Sequence, residues 1–383
     1  MKILIAPNAF KGSLSSPEIC HSLKDGILRS APHAEIETVP LGDGGDGTLE
    51  VLVDLWEGTL EAQTVQGPLS RPVEAPIGFD LDRKRAVIEM ARASGLALLG
   101  DKEKNPLFTS SFGTGQMLRI AIDSGVQEIF LGIGGSATND GGAGMGAALG
   151  FDHMNGDGES LIPRGGNLDA IEQIIPPEFQ NWPRVTVLCD VTNPLCGHNG
   201  ASAVYGPQKG ATSDQVRMLD RNLDHLARLW QRDLGRVVAH IPGSGAAGGM
   251  GGGAMAYLDA RLVSGTDVLF EMTDLDERVQ WADLVITGEG ALDLTTLQGK
   301  IPGRVADLAL KYKKKCIGIC GLLQLEDVAP FENAGFTRIL EIAPTEIPSD
   351  ERIRDAEKWV FETGRNIGNA MAWPSILKFP NRC

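Results

Sequence analysis

Short apolar runs, most ending in a turn rich in glycine and acid and leading into helical periodicity, restrict this chain to an α/β architecture. Six such clusters stand out: Asp43-Gly-Gly-Asp-Gly47, Gly134-Gly-Ser-Ala-Thr-Asn-Asp-Gly-Gly142, Asp190-Val-Thr-Asn-Pro-Leu195, Gly206-Pro-Gln-Lys-Gly210, the run from Gly243 to Gly253, and Gly288-Glu-Gly-Ala-Leu-Asp293. Strand C-termini are where open α/β sheets bind ligands. Glycine there lets backbone N–H groups approach an anion, and carboxylates in the same turns can hold a divalent metal. Phosphate, metal and small anion together point to phosphoryl transfer.

The 48 glycines among 383 residues exceed the usual ~7% without any collagen period, so the surplus serves turns, close packing or ligand loops. The length sets an expectation of two domains. A net charge of −15 excludes a general nucleic-acid or anionic-membrane surface but not a nucleotide, which a few N–H groups and one lysine can hold. The six cysteines form no C-x-x-C and the six histidines no zinc spacing, so reduced thiols and no zinc are expected. The N-terminal apolar run is too short for a signal peptide, and no apolar run reaches membrane-spanning length. The expected location is the cytoplasm.

Along the chain, residues 2–6 read as a strand buried on both faces, and Ser15-Ser-Pro-Glu18 as a capping box that opens a helix carrying Ile19, Leu23 and Ile27. A strand over 36–40, the Asp43 turn and a helix over 48–55 repeat the pattern. Strands over 59–65, 72–79 and 85–90 then form an antiparallel meander. The strand–loop–helix rhythm returns late: a strand over 283–287, a Gly288-Glu-Gly loop, a helix over 302–311, strands over 315–319 and 337–342, and a final helix capped by Ser349 with Ile353, Ala356, Val360, Ile367 and Met371 on one side. The simplest organisation is one doubly wound parallel-sheet domain made of residues 1–58 and 263–383, with a second α/β domain, 59–262, inserted. The active cleft is expected between the two.

Several residues carry candidate chemistry. Lys11 and Ser13 lie between a strand and a helix N-terminus, a ready anion site. Asp43, Gly44 and Gly45 occupy a turn whose aspartate can bind Mg²⁺ or accept a hydroxyl proton. Gly134, Gly135, Ser136, Thr138 and Asn139 can surround a phosphate through backbone amides and a helix dipole, although no Walker ending is present. Asp190, Glu289 and Asp293 sit at strand ends, with Lys300 just before a helix. Arg92 and Lys209 can pair with a carboxylate or phosphate, or face solvent. Gly243-Ser-Gly-Ala-Ala-Gly248 matches a dinucleotide fingerprint literally, but the preceding residues 236–241 make a poor strand.

Taken together the motifs are familiar. The chain resembles the type 1, bacterial glycerate kinase family through Ile5-Ala-Pro-Asn-Ala-Phe-Lys-Gly-Ser-Leu-Ser15, Gly42-Asp-Gly-Gly-Asp-Gly-Thr48, Gly132-Ile-Gly-Gly-Ser-Ala-Thr-Asn-Asp-Gly-Gly-Ala-Gly144, Cys189-Asp-Val-Thr-Asn-Pro-Leu195, Tyr205-Gly-Pro-Gln-Lys-Gly-Ala211 and Ala282-Asp-Leu-Val-Ile-Thr-Gly-Glu-Gly290. The resemblance implies a flavodoxin-like domain with a second α/β domain inserted, and a reaction of ATP, Mg²⁺ and D-glycerate that usually yields 2-phosphoglycerate. The chain departs from the family where Thr295 replaces a glutamine and Gln298 a histidine. Asp190, Glu289 and Asp293 are then expected to share metal ligation and proton acceptance, with the division open. Asp190, Asp293 and Lys11 are the catalytic candidates, and Asp190 and Glu289 the metal ligands. Ser13, Asp43, Gly44, Gly45 and Arg92 would orient substrate. Gly134, Gly135, Ser136, Thr138, Asn139 and Lys300 would hold the nucleotide. The alternatives are phosphorylation at the 3-hydroxyl, a two-lobed binding protein and an NAD-dependent dehydrogenase.

Overall fold

A computed structural model describes residues 1–42, 44, 45, 47–178, 181–324 and 328–372. Asp43 lies outside the described residues. Thirteen strands are found among them: β1 (Lys2–Ile5), β2 (Glu35–Thr38), β3 (Thr59–Gln66), β4 (Pro72–Phe79), β5 (Arg85–Glu89), β6 (Glu128–Gly132), β7 (Asp152–Met154), β8 (Gln173–Ile175), β9 (Arg184–Leu188), β10 (Arg261–Val263), β11 (Leu284–Leu292), β12 (Lys315–Leu323) and β13 (Arg338–Glu341). The chain forms two compact units, residues 1–43 with 266–383, and residues 44–265.

The first unit holds an all-parallel sheet in the order β13-β12-β11-β1-β2. Counted within the unit, that order is 2-1-3-4-5, the flavodoxin-like arrangement. The apolar stretch Ile3-Leu-Ile5 has no exposed surface, as a strand covered on both faces requires. The helix Ser16–Ser30 begins at Ser15, whose hydroxyl accepts from the Glu18 amide while the Glu18 carboxylate accepts from the Ser15 amide. It packs against the helix Ala356–Ala372 so closely that a Cβ on Gly26 would lie 2.1 Å from the Phe361 carbonyl oxygen.

Two expectations change here. The Gly288-Glu-Gly segment is not a loop: β11 runs on to Leu292, with Gly288 opposite Ile319 and Glu289 opposite Cys320. A Cβ on Gly288 would sit 2.1 Å from the Ile319 carbonyl oxygen, so glycine serves close strand contact rather than a turn. The final helix is two pieces, Ser349–Arg354 and Ala356–Ala372, broken at Asp355 (φ −100°, ψ 18°). Pro348 rather than Ser349 stands at the N-cap position. The break rotates Ile353 off the apolar face, leaving it 53% exposed while Ala356, Val360 and Ile367 are buried.

The second unit holds a six-stranded sheet, β10-β9-β6-β5-β4-β3. The meander β3-β4-β5 is antiparallel, and β5, β6, β9 and β10 are parallel. The C-terminal ends of β5, β6 and β9 therefore share one edge. The helix Thr48–Leu55, which the sequence rhythm groups with β1 and β2, lies in this unit and starts where the Leu49 amide donates to the Glu89 carboxylate. No helix among the described residues is long and apolar enough to cross a membrane.

The core of this unit contains a polar pair. His153, on β7, shares a 2.8 Å hydrogen bond with the Tyr257 hydroxyl, and both side chains are buried. Burial pushes the imidazole pKa down to about 4 and the phenol up. A folded-state pKa below the unfolded value of 6.5 means that the unfolded chain binds the proton more readily. Stability from this site is thus complete above pH 6.5 and is lost as pH falls toward 4, by about 3 kcal/mol in all. Urea unfolding across this range is expected to show that loss, and His153→Gln to flatten it. Equal pH slopes in parent and variant would assign the acid sensitivity elsewhere.

Candidate active site

In the first unit the topological switch point lies between β1 and β11, where the strand order reverses and doubly wound sheets bind ligands. Two of the predicted motifs end there. Lys11 follows β1 on an exposed loop closed by a Phe10–Leu14 bridge, and Gly290 of β11 lies beside it, with the Lys11 amide nitrogen 3.5 Å from where a Cβ would stand. Glu289 accepts at Oε1 from the Thr296 hydroxyl at 2.7 Å, with Lys300 Nζ 3.7 Å away. Lys300 Nζ is equally 3.7 Å from Asp293 Oδ1. Thr296 is fully buried and its oxygen also receives the Asp293 amide at 3.2 Å, so one hydroxyl ties both acids together. Ser13 points to another partner, donating to the Ile353 carbonyl at 3.1 Å.

The two acids sit in opposite electrostatic situations. Burial raises the Glu289 pKa against the lowering effects of the Thr296 hydrogen bond, Lys300 and Lys11; Asp293 nearby adds to the rise. Asp293 is held below its usual range, first by the Thr295 hydroxyl and then by the Thr295 amide, Lys300 and the Thr296 amide. Asp293 thus caps the short helix Leu294–Leu297 as an ionised group, while Glu289 is shifted toward accepting a proton.

In the second unit the turns collect at the shared strand edge. Gly44 (φ +76°) lies against Leu188 at the end of β9, with only 2.9 Å between a hypothetical Cβ and the leucine Cβ. A Cβ on Gly134 would be 2.7 Å from the Gly45 Cα, so the Gly44–Gly45 and Gly134–Gly135 turns are in contact through bare backbone. Asp190 is exposed two residues beyond Leu188. Arg92 binds Glu89 through Nε at 2.9 Å and Glu50 through Nη2, so its guanidinium joins β5 to the helix Thr48–Leu55. Burial raises the Glu89 pKa, opposed by the Leu49 amide and Arg92.

Residues 134–139 are anchored from below. Thr138 and Asn139 are fully buried, and Asn139 Nδ2 donates to the Ser202 hydroxyl at 2.9 Å. Lys209 is 1% exposed; its ammonium donates to Ser136 Oγ at 2.7 Å and to the Thr138 carbonyl at 2.6 Å. Burial pulls its pKa down to about 7, opposed by Asp140. The N-terminus of the helix Ala143–Ala148 is already filled by Asp140, which accepts from the Gly142 amide and from the Ser111 amide and hydroxyl. The helix-dipole part of the phosphate expectation is therefore used internally, and the loop amides remain.

A model of the glycerate kinase family matches residues 3–372. The chain belongs to the glycerate kinase family. It is 43% identical to the glycerate kinase of Halalkalibacterium halodurans over 97% of this chain and 98% of the relative. It is 41% identical to the glycerate 2-kinase of Escherichia coli K12, again over 97% and 98%. A crystal structure assigned as glycerate kinase 2 from Salmonella typhimurium LT2 superposes with a TM-score of 0.85 at 39% identity, covering 98% of this chain and 99% of that one. Family membership makes the chain an enzyme of the kinase class and confirms the mixed α/β fold with a flavodoxin-like parallel sheet.

Within this glycerate kinase framework, the roles of three supporting residues were not resolved by sequence reasoning. Thr296 gives no signal in sequence beyond its position three residues after Asp293, the spacing of a capping box. Asp140 reads as one more turn acid until its burial is known. Lys209 reads equally well as a solvated side chain, because Gly206-Pro-Gln-Lys-Gly210 carries no apolar period. At the departures from the family pattern, Thr295 turns its hydroxyl onto Asp293 and Gln298 is exposed.

Proposed function

We propose that the chain phosphorylates D-glycerate at the 2-hydroxyl, using ATP and releasing ADP and 2-phosphoglycerate. The observation that carries this reading is the end-to-end relationship to the Escherichia coli protein, whose name specifies a 2-kinase acting on glycerate. The chemistry of the first unit agrees with it. Phosphoryl transfer asks a protein mainly for positioning, charge neutralisation and a proton acceptor. Glu289, largely shielded from water and shifted toward proton uptake, takes the hydroxyl proton as the oxygen attacks the γ-phosphorus and the bond to the ADP oxygen breaks. Lys11 and Lys300 neutralise anionic oxygens, and Asp293 holds its short helix and Lys300 in place. Residues 134–139 hold nucleotide phosphates through backbone amides, while Ser13, Arg92 and the Gly44–Gly45 turn lie on the substrate-orienting segments.

Among the described residues no group of three or more His, Cys, Asp or Glu is gathered to hold a metal ion. Mg²⁺ bound with a nucleotide asks for less, one or two carboxylates with phosphate oxygens and water. Exposed Asp190 suits that task; Glu289, with an ammonium 3.7 Å away, suits it less. When bound, Mg²⁺ would neutralise charge on the phosphates.

Phosphorus NMR of the product tests the reaction. A phosphate ester at C2 is split by one proton and is expected as a doublet, whereas an ester at C3 is split by two. A triplet would move the reaction to the 3-hydroxyl, and no ADP release with D-glycerate, ATP and Mg²⁺ would remove glycerate as substrate.

A further inference from the structure

Lys209 neither faces solvent nor reaches an open surface, and the proposed reaction leaves it without a task. A buried lysine costs the fold unless its ammonium is well bonded. Its two bonds fall on alternate residues of one turn, Ser136 Oγ and the Thr138 carbonyl oxygen. Other elements hold the same turn. The Ala137 amide donates to the Ser94 carbonyl, and the Gly135 carbonyl accepts from the Leu96 amide. Beyond it, the Gly141 amide donates to the Gly248 carbonyl. There the chain enters the helix Ala246–Leu258 through three left-handed residues, Ala247, Gly248 and Gly249. Gly248 is packed so tightly that a Cβ would lie 2.0 Å from the Thr138 carbonyl oxygen.

The direction of these bonds matters. A peptide carbonyl drawn inward turns the N–H groups of a tight turn toward the opposite side, which is how a backbone nest for anions is made. Among the described residues no backbone carbonyl accepts from the amides of Gly134, Gly135 or Ser136. The Lys209 amino group therefore acts as a tethered internal donor that fixes the inward side of the loop.

We propose that Lys209 is a positioning residue for nucleotide binding: by clasping Ser136 and the Thr138 carbonyl it preorganises the amides of residues 134–136 for phosphate, without touching substrate. This rests on the reading that residues 134–139 hold the nucleotide. A preorganised loop binds without an ordering cost at the moment of binding, and loosening it by about an ångström weakens both affinity and alignment.

The test compares Lys209→Met with Gly135→Ala in the full chain. Lys209→Met keeps the length and removes the charge. Its KM for ATP is expected to rise ~10-fold or more, and its affinity for a non-hydrolysable ATP analogue, measured by calorimetry, to fall in step, while the KM for D-glycerate stays within ~2-fold. Lys209→Gln keeps an uncharged N–H donor group on a shorter side chain, and an intermediate rise is expected. It also keeps the proposal testable should the methionine variant fail to fold. Gly135→Ala forces a side chain onto a left-handed position (φ +70°) of the same loop and leaves Lys209 in place. If Gly135→Ala raises the KM for ATP but both Lys209 variants leave it at the parental value, the clasp is overturned and the loop assignment stands. If Gly135→Ala leaves nucleotide affinity unchanged, the loop assignment itself fails. Equal rises in both KM values for a folded Lys209 variant would mark a merely structural lysine and overturn the proposal.

Discussion

Glu289→Gln is expected to lower kcat by at least ~10²-fold, the scale of a positioned acid–base group, with no loss of stability. The side chain is only 12% exposed, and burial is the largest influence on its pKa. The folded protein therefore holds a carboxylate that it would be easier to hold neutral. The amide is close in shape, can still accept the Thr296 hydroxyl's hydrogen bond and removes the desolvation cost. It cannot accept a proton at neutral pH. Activity lost while the urea midpoint stays level or rises would separate proton acceptance from packing. Turnover near that of the parent would remove Glu289 from the chemistry and leave Asp190 and Asp293 as the remaining acids.

Asp190→Asn is expected to cost a similar ~10²-fold in kcat, with a higher Mg²⁺ concentration needed for half-maximal activity. The side chain is exposed at the end of β9, so the substitution disturbs no core packing. Replacing a carboxylate by an amide weakens attraction for a hard divalent cation, and excess Mg²⁺ then recovers part of the rate. A large loss in kcat with an unchanged Mg²⁺ requirement would reassign Asp190 from metal ligation to proton transfer. Turnover within ~3-fold of the parent would place it outside the reaction altogether.

The contrast between Glu289 and Asp293 shows what the chain does and does not disclose. Both were legible as acids beyond an apolar run, and nothing in the spacing separates their roles. The separation comes from Thr296 and from depth. One carboxylate is shielded from water and raised in pKa, while the other is wrapped by amide and hydroxyl donors and lowered. The same ambiguity misled the reading of Gly288. A glycine beside acids signals either a turn or a close approach, and only the register of β12, 31 residues further on, identifies the second. The pairing of His153 with Tyr257 spans 104 residues and has no local trace.

What the sequence determined by itself is local: the capping box at Ser15, the apolar core of β1, the antiparallel meander of β3 to β5, and the glycine turn that follows β6. These follow from backbone dihedral preferences and side-chain periodicity acting over a few residues. The tertiary structure alone decided that Lys209 is buried, that the helix Thr48–Leu55 belongs with β5, that Asp140 fills a helix end meant by its sequence for any anion, and which acid gains a proton more readily. Each depends on which distant groups exclude water from a charge, and desolvation is a property of the assembled fold rather than of any stretch of chain.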